Sequence, residues 1–152
     1  MEVIGGVSAI IQVTTFSLIL SQKLASFISE ARDVVETNTR ILDQLQTLHD
    51  TVSAVNHVLN RREQRKGIQP LTDAEVEIQD HTRKALRETD QTFERLKSKI
   101  EKLGGGRNQP EWWKKGWIQM KAQVQSQSIA KIEWQMGMNI KSLQLMILCV
   151  QS

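Results

Sequence analysis

Three histidines and one cysteine are the side chains here best suited to binding a metal or acting as a nucleophile, and their spacing serves neither role. His49, His57 and His81 contain no pair four residues apart, the separation that places two ligands on one helical face. Cys149 lies within "LMILCV", where a thiol packs as a small hydrophobe, and with no second cysteine it cannot form an internal disulfide. The run "KLGGGRNQP" has glycines but no following Gly-Lys-Ser/Thr to cradle a phosphate, so it reads as a helix stop and hinge. No Gly-x-Ser-x-Gly elbow occurs, and the carboxylates alternate with Lys and Arg as solvated helix faces do. The residues therefore offer no seat for catalysis, and neither an enzyme, a metal nor a cofactor is expected.

What remains is the chemistry of surfaces. Arg61, Arg62, Arg65 and Lys66 form one basic cluster, and Lys114 and Lys115 form another beside Trp112, Trp113 and Trp117. Cations mixed with amphipathic rings are what a segment lying on anionic lipid uses. The competing reading is that the tryptophans seal one end of a core and the cations are ordinary solvated helix ends. The opening "MEVIGGVSAIIQVTTFSLIL" has Glu2 as its only ionisable side chain. A secretory signal needs a positive start, which Glu2 does not supply. A permanent span needs about 20 mainly apolar residues, and seven of the eighteen residues 3–20 are Gly, Ser, Thr or Gln. At 100° per residue Val3, Val7, Ile10, Ile11, Thr14 and Leu18 fall on one face, widened by Val13, Phe16 and Leu20. Such a helix is either enclosed by other helices or able to leave them for lipid, which makes Glu2, Val3, Val7, Ile10, Ile11, Thr14 and Leu18 the candidate membrane-inserting residues.

The elements that must carry these surfaces are helical. Aromatic residues make up only 5%, Tyr is absent and Pro occurs twice, while hydrophobic residues reach 39% of 152, enough for one domain with a core. Val34, Ile41, Leu45, Leu48, Val52, Val55 and Leu59, with Asn38 in the missing place, alternate at four and three. They predict a second helix over about 24–64, with Gly67 as its stop. Thr72 and Glu75 stand at capping-box spacing, and Val76, Leu86, Phe93, Leu96, Ile100 and Leu103 predict a third helix over 73–103. Asn108 and Pro110 suit the start of a fourth over 110–150, whose stripe is Ile118, Ala122, Gln125, Ile129, Ile132, Met136, Ile140, Leu143, Ile147 and Val150. With the opening helix at 3–22, the expected fold is all-α, an antiparallel four-helix bundle over 1–152 as a single domain. The apolar, periodic end suggests a domain cut from a longer protein. Residues 1–60 carry three Lys/Arg against six Asp/Glu, and the remainder seventeen against eleven, an excess too diluted by carboxylates for a nucleic-acid domain.

The glycine-containing apolar start, the heptad helix "TRILDQLQTLHDTVSAVNHVL" and the Trp-led last helix ending in Lys141 to Leu148, "KSLQLMIL", resemble the N-terminal domains of fungal STAND (NLR-like) receptors, the HeLo-like and SesA-type group. The resemblance spans nearly the whole chain. It implies a signalling or execution domain preceding a nucleotide-binding module and a repeat sensor, used in self/non-self recognition. HeLo-type relatives oligomerise, move from the cytoplasm to the plasma membrane and kill the cell, with the first helix proposed to insert. Carried over, the inserting element is Met1 to Leu20, with Glu2 its one acidic side chain at a pore mouth; the residues read above as lipid-facing, Arg61, Arg62, Arg65, Lys66, Lys114, Lys115, Trp112 and Trp113, would then hold the bundle on anionic lipid. The partners implied are further copies of the chain, anionic lipids and the downstream module, with no nucleic acid. Gly5 and Gly6 are adjacent rather than spaced, unlike a glycine zipper. The alternative is a helical interaction module that oligomerises or recruits a partner without touching a membrane.

Overall fold

The computed structural model describes residues 2–34, 40–66, 72–106, 111–122 and 127–151, and the side chains of 12–33, 40–65, 72–106, 111–120 and 127–151. Among the described residues the chain is all-α, with five helices and no strand: α1 (Glu2–Val34), α2 (Arg40–Lys66), α3 (Asp73–Leu103), α4 (Trp112–Ala122) and α5 (Gln127–Gln151). One hydrophobic core draws on all five.

The first helix is longer than its apolar start predicts, running through residue 22 to Val34, so residues 24–34, expected in the second helix, belong to α1 and α2 begins at Arg40 rather than near 24. No Gly or Pro interrupts "SQKLASFISEARDV", and the spacing of three and four continues through it. The buried side of α1 is Val13, Ser17, Leu20, Leu24, Phe27, Ile28 and Ala31. Leu18, assigned from the sequence to the buried face, is instead 47% exposed, because the stripe that meets the core is rotated toward Val13 and Leu20. Every predicted α2 position whose side chain is described is buried: Ile41, Leu45, Leu48, Val52, Val55 and Leu59. Asn38, Gly67, Asn108, Pro110 and Gln125 lie outside the described residues.

The expected fourth helix is two helices. α4 packs on α3 and α1, whereas α5 packs on α2 and α3. A single stripe cannot serve both sets of neighbours: among the described side chains of α4, Trp117 and Met120 are buried and the predicted Ile118 is 55% exposed, with the Ala122 side chain outside the described set, while Ile129, Ile132, Met136, Ile140, Leu143 and Val150 are buried on α5. The start of α3 departs in a second way. Val76 faces out, and the first turns bury Glu75, Gln79 and Thr82 instead. The capping box explains part of this, with the Glu75 N–H donating to Thr72 Oγ1 at 3.2 Å and the Thr72 hydroxyl donating to Glu75 Oε1 at 3.1 Å.

The three glycines after α3 act as a corner. The Gly104 N–H closes the helix on the Ile100 carbonyl at 3.0 Å, and Gly105 and Gly106 take φ of 88° and 90°, where an L side chain is strained. A Cβ on Gly104 would run into the Trp112 carbonyl, and one on Gly116 into the Ile100 carbonyl. Glycine at both places lets the backbones of α3 and α4 touch.

Buried polar groups then fix which residues face each other. Asn56 on α2 donates to Ser17 Oγ and to the Thr14 carbonyl on α1, both at 3.0 Å, and Ser21 and Ser53 share a hydrogen bond of 2.8 Å. Buried Asn139 on α5 donates to Thr92 Oγ1 on α3 at 2.8 Å, and the Thr92 hydroxyl in turn donates to the Glu88 carbonyl at 2.9 Å. Each of these cross-helix donors has a partner on the facing helix, which turns helix registers into specific ones.

Candidate interaction surfaces

The residues nominated for membrane insertion all belong to α1, and the structure divides them. The side chains of Glu2, Val3, Val7, Ile10 and Ile11 lie outside the described set. Thr14 is half-buried and its carbonyl accepts from Asn56 and from the Ser17 hydroxyl. Leu18 stands beside Ile19, 49% exposed, as a two-residue apolar outcrop on the outer side of the helix. One turn on, Lys23 Nζ lies 2.8 Å from Asp90 and 2.9 Å from Glu94 of α3. Burial works against the Lys23 charge, but hydrogen bonds and attraction from Asp90 and Glu94 outweigh it and hold the ammonium above its ordinary value of 10.5. Among the described residues, no helix is long and apolar enough to cross a membrane.

The two basic clusters do not meet. Arg62, at the end of α2, is bound to the start of α3 and the end of α5: it pairs with Glu75 at 3.1 Å and donates to the Val150 carbonyl at 2.8 Å. Glu75 is only 6% exposed, so the guanidinium fills a structural place rather than a lipid-facing one. Arg61 and Arg65 beside it are exposed, and the Lys66 side chain lies outside the described set. Lys114 and Lys115 are exposed too, but on α4, which packs against the far end of α3. At 1.5 Å per residue, the stretch of α3 from Glu75 to Gly104 separates the clusters by about 44 Å.

The tryptophans seal the core beside α4. Trp117 is 1% exposed, and Trp113 meets Phe27 of α1 edge to face at 4.9 Å, as Phe27 meets Phe93 of α3 at 5.0 Å. Trp112 is half-buried against Trp113. The indole N–H groups of Trp113 and Trp117 are buried without a hydrogen-bond partner among the described residues. Among the described residues there is no group of three or more His, Cys, Asp or Glu able to hold a metal.

A surface that sequence reasoning missed lies on α5. Trp134, Met138, Leu145 and Leu148 are 66%, 43%, 58% and 63% exposed, on the side of α5 opposite its core stripe. They follow a three-and-four rhythm of their own, with exposed Lys141 at the central place. That rhythm is present in the sequence. It was hidden because a helix with two apolar stripes looks like one broad hydrophobic face. Comparison with protein-family models, with characterised proteins and with solved structures finds no match.

Proposed function

We propose that the chain is a non-catalytic signalling domain of the kind found at the N-terminus of fungal NLR-like receptors, working as a helical module that associates with other helices when a downstream nucleotide-binding module clusters it. Contact registers support an up-down-up-down bundle for α1, α2, α3 and α5, with α4 as a brace. Numbers rise on α1 as they fall on α2 (Ser17 with Asn56, Ser21 with Ser53) and on α3 as they fall on α5 (Thr92 with Asn139, Arg95 with Gln135), whereas Gln44 and Arg62 of α2 reach Glu133 and Val150 of α5 in the same order.

The observation that carries the choice of association over insertion is the burial of Val13, Ser17 and Leu20. A bilayer-spanning segment of about 20 residues drawn from the chain start would pull all three out of the core and break the Asn56 hydrogen bonds. Exposing Val13 and Leu20 alone costs about 3–6 kcal/mol, a large share of the ~5–15 kcal/mol that holds a domain folded. The membrane reading keeps one observation in its favour, the exposed Leu18 and Ile19 pair.

The test is to fuse the intact chain to a chemically induced dimeriser in fungal cells. Clustering is expected to lower viability equally in the parent and in a Leu18→Glu, Ile19→Glu variant. No response to clustering overturns the signalling reading. A response lost in that variant, together with leakage of anionic liposomes by the parent, transfers the function to the membrane.

A further inference from the structure

The outer stripe of α5 is built as a seam for a helix. Trp134, Met138, Lys141, Leu145 and Leu148 recur at four, three, four and three residues, which at 100° per residue keeps them within an arc of about 80° and extends them over about 21 Å. A helix lying in a lipid interface presents a broader apolar face, whereas a narrow stripe repeating every three and four residues is the pattern of a helix-to-helix seam. Beside it, α3 and α5 border a cleft of about 230 Å³ lined by Glu88, Gln91, Arg95, Trp134 and Met138, able to receive a side chain of an incoming helix.

Charge identifies the occupant. Lys141 at the centre and Lys131 one turn before Trp134 are the only charged residues that α5 itself brings to the seam, both exposed, while α3 adds one acid and one base, Glu88 and Arg95, in the cleft beside Trp134. The flanking places hold Gln135, Gly137, Ser142, Gln144 and Cys149, all neutral. The one acidic side chain of α5, Glu133, pairs with Arg40 of α2 at 3.4 Å and is turned away from the seam. A second copy laid on this stripe by a two-fold axis, so as to cover it from Trp134 to Leu148, would set Lys141 against its own equivalent. Like charges opposed in a seam disfavour that pairing.

We propose that the outer face of α5 docks an amphipathic helix from a partner protein, with apolar residues at alternating three-and-four spacing and a carboxylate opposite Lys141. This deepens the signalling reading above and rests on it for the partner's role, but not for the binding itself.

The test uses the whole chain and two synthetic helical peptides of identical heptad Leu seams, one with Glu and one with Lys at the central seam position, titrated by fluorescence anisotropy. The Glu peptide is expected to bind about tenfold more tightly than the Lys peptide, and Lys141→Glu to reverse that order. Leu145→Ala is expected to weaken binding about tenfold or more, with unchanged circular dichroism because the side chain is exposed. Equal affinity for both peptides, or binding indifferent to Leu145→Ala, overturns the seam. So does a dimer of the chain, or binding to phosphatidylserine vesicles, that disappears in Leu145→Ala, since either names a different occupant. The peptide titration judges the seam by itself. A clustered parent chain that triggers no cellular response overturns the signalling reading and leaves the peptide result standing.

Discussion

α1 and α5 are the two most apolar helices of the chain, and they dispose of their hydrophobic residues in opposite ways. Among its described side chains from Val13 onward, α1 gives nearly all of the large apolar ones to the core and leaves only Leu18 and Ile19 outside. α5 gives one stripe to the core and keeps a second of four large side chains in solvent. Hydrophobic content alone would nominate α1 as the element that meets something outside the domain. The informative quantity is what stays exposed after the core has been filled, and that points to α5.

Substitutions sharpen the contrast, beginning with the largest effect. Phe27 is 4% exposed and joins α1 to Phe93 and Trp113 through two edge-to-face contacts. Phe27→Ala is expected to cost about 3–5 kcal/mol in urea unfolding, whereas Leu145→Ala on the outer stripe of α5 should fall within about 0.5 kcal/mol of the parent. A small loss at Phe27 would mean that α1 is not committed to the core. Next comes Gly116→Ala on α4. An added Cβ meets the backbone carbonyl of Ile100, which cannot swing aside as a side chain would, so α4 must lift from α3. The expected loss is about 1–3 kcal/mol. Stability equal to the parent would show that the α3/α4 contact can open freely.

Legibility from sequence followed the same division. From Ile41 onward the core face of α2 was readable because one face is apolar and the rest charged, so a single period explains it; its start was not, because the same spacing runs back through residues 24–34, which belong to α1. The Thr72 cap, the glycine stop after α3 and the core residues of α5 from Ile129 onward were readable for the same local reasons. The errors arise where tertiary contacts decide. Leu18 and Ile118 sit on helices apolar enough around their circumference that periodicity cannot say which side turns inward. Val76 yields its place to Glu75 because Arg62, distant in sequence, is there to pair with the carboxylate. The division of the last stripe into α4 and α5 follows different neighbours, α3 and α1 for the one and α2 and α3 for the other, which no local pattern announces. Of the nominated surface cations, Arg62 could not have been recognised as internal without its two partners.

A smaller effect is expected at the α1/α3 ion pairs. The folded pKa of Lys23 lies above its ordinary 10.5. Its stabilising contribution is therefore fully present below about that pH and is lost as pH rises through the raised value. With side-chain exposures of 36% for Lys23 and 27% and 48% for Asp90 and Glu94, the pairs are well screened and are worth about 0–1 kcal/mol. Lys23→Met should lower stability by no more than that at pH 7 and flatten the alkaline limb of the stability profile. An unchanged limb would show that another group governs it.

The smallest effect is the most discriminating between the two helices. A buried Leu18, as the apolar periodicity of the chain start predicts, would make Leu18→Glu ruinous, because an unpaired carboxylate would enter the core. With the side chain 47% exposed next to Ile19, the new carboxylate has water on its outer side and no described acid within its own turn. The expected change in urea midpoint corresponds to about 0.5 kcal/mol or less, which leaves the bundle intact and makes the variant a clean probe of function. A loss of several kcal/mol would return Leu18 to the core and rotate the buried face of α1. With the fold preserved, the same variant asks whether α1 touches anything beyond the domain. Paired with Leu145→Ala in the clustering assay, it assigns the working surface to α1 or to α5.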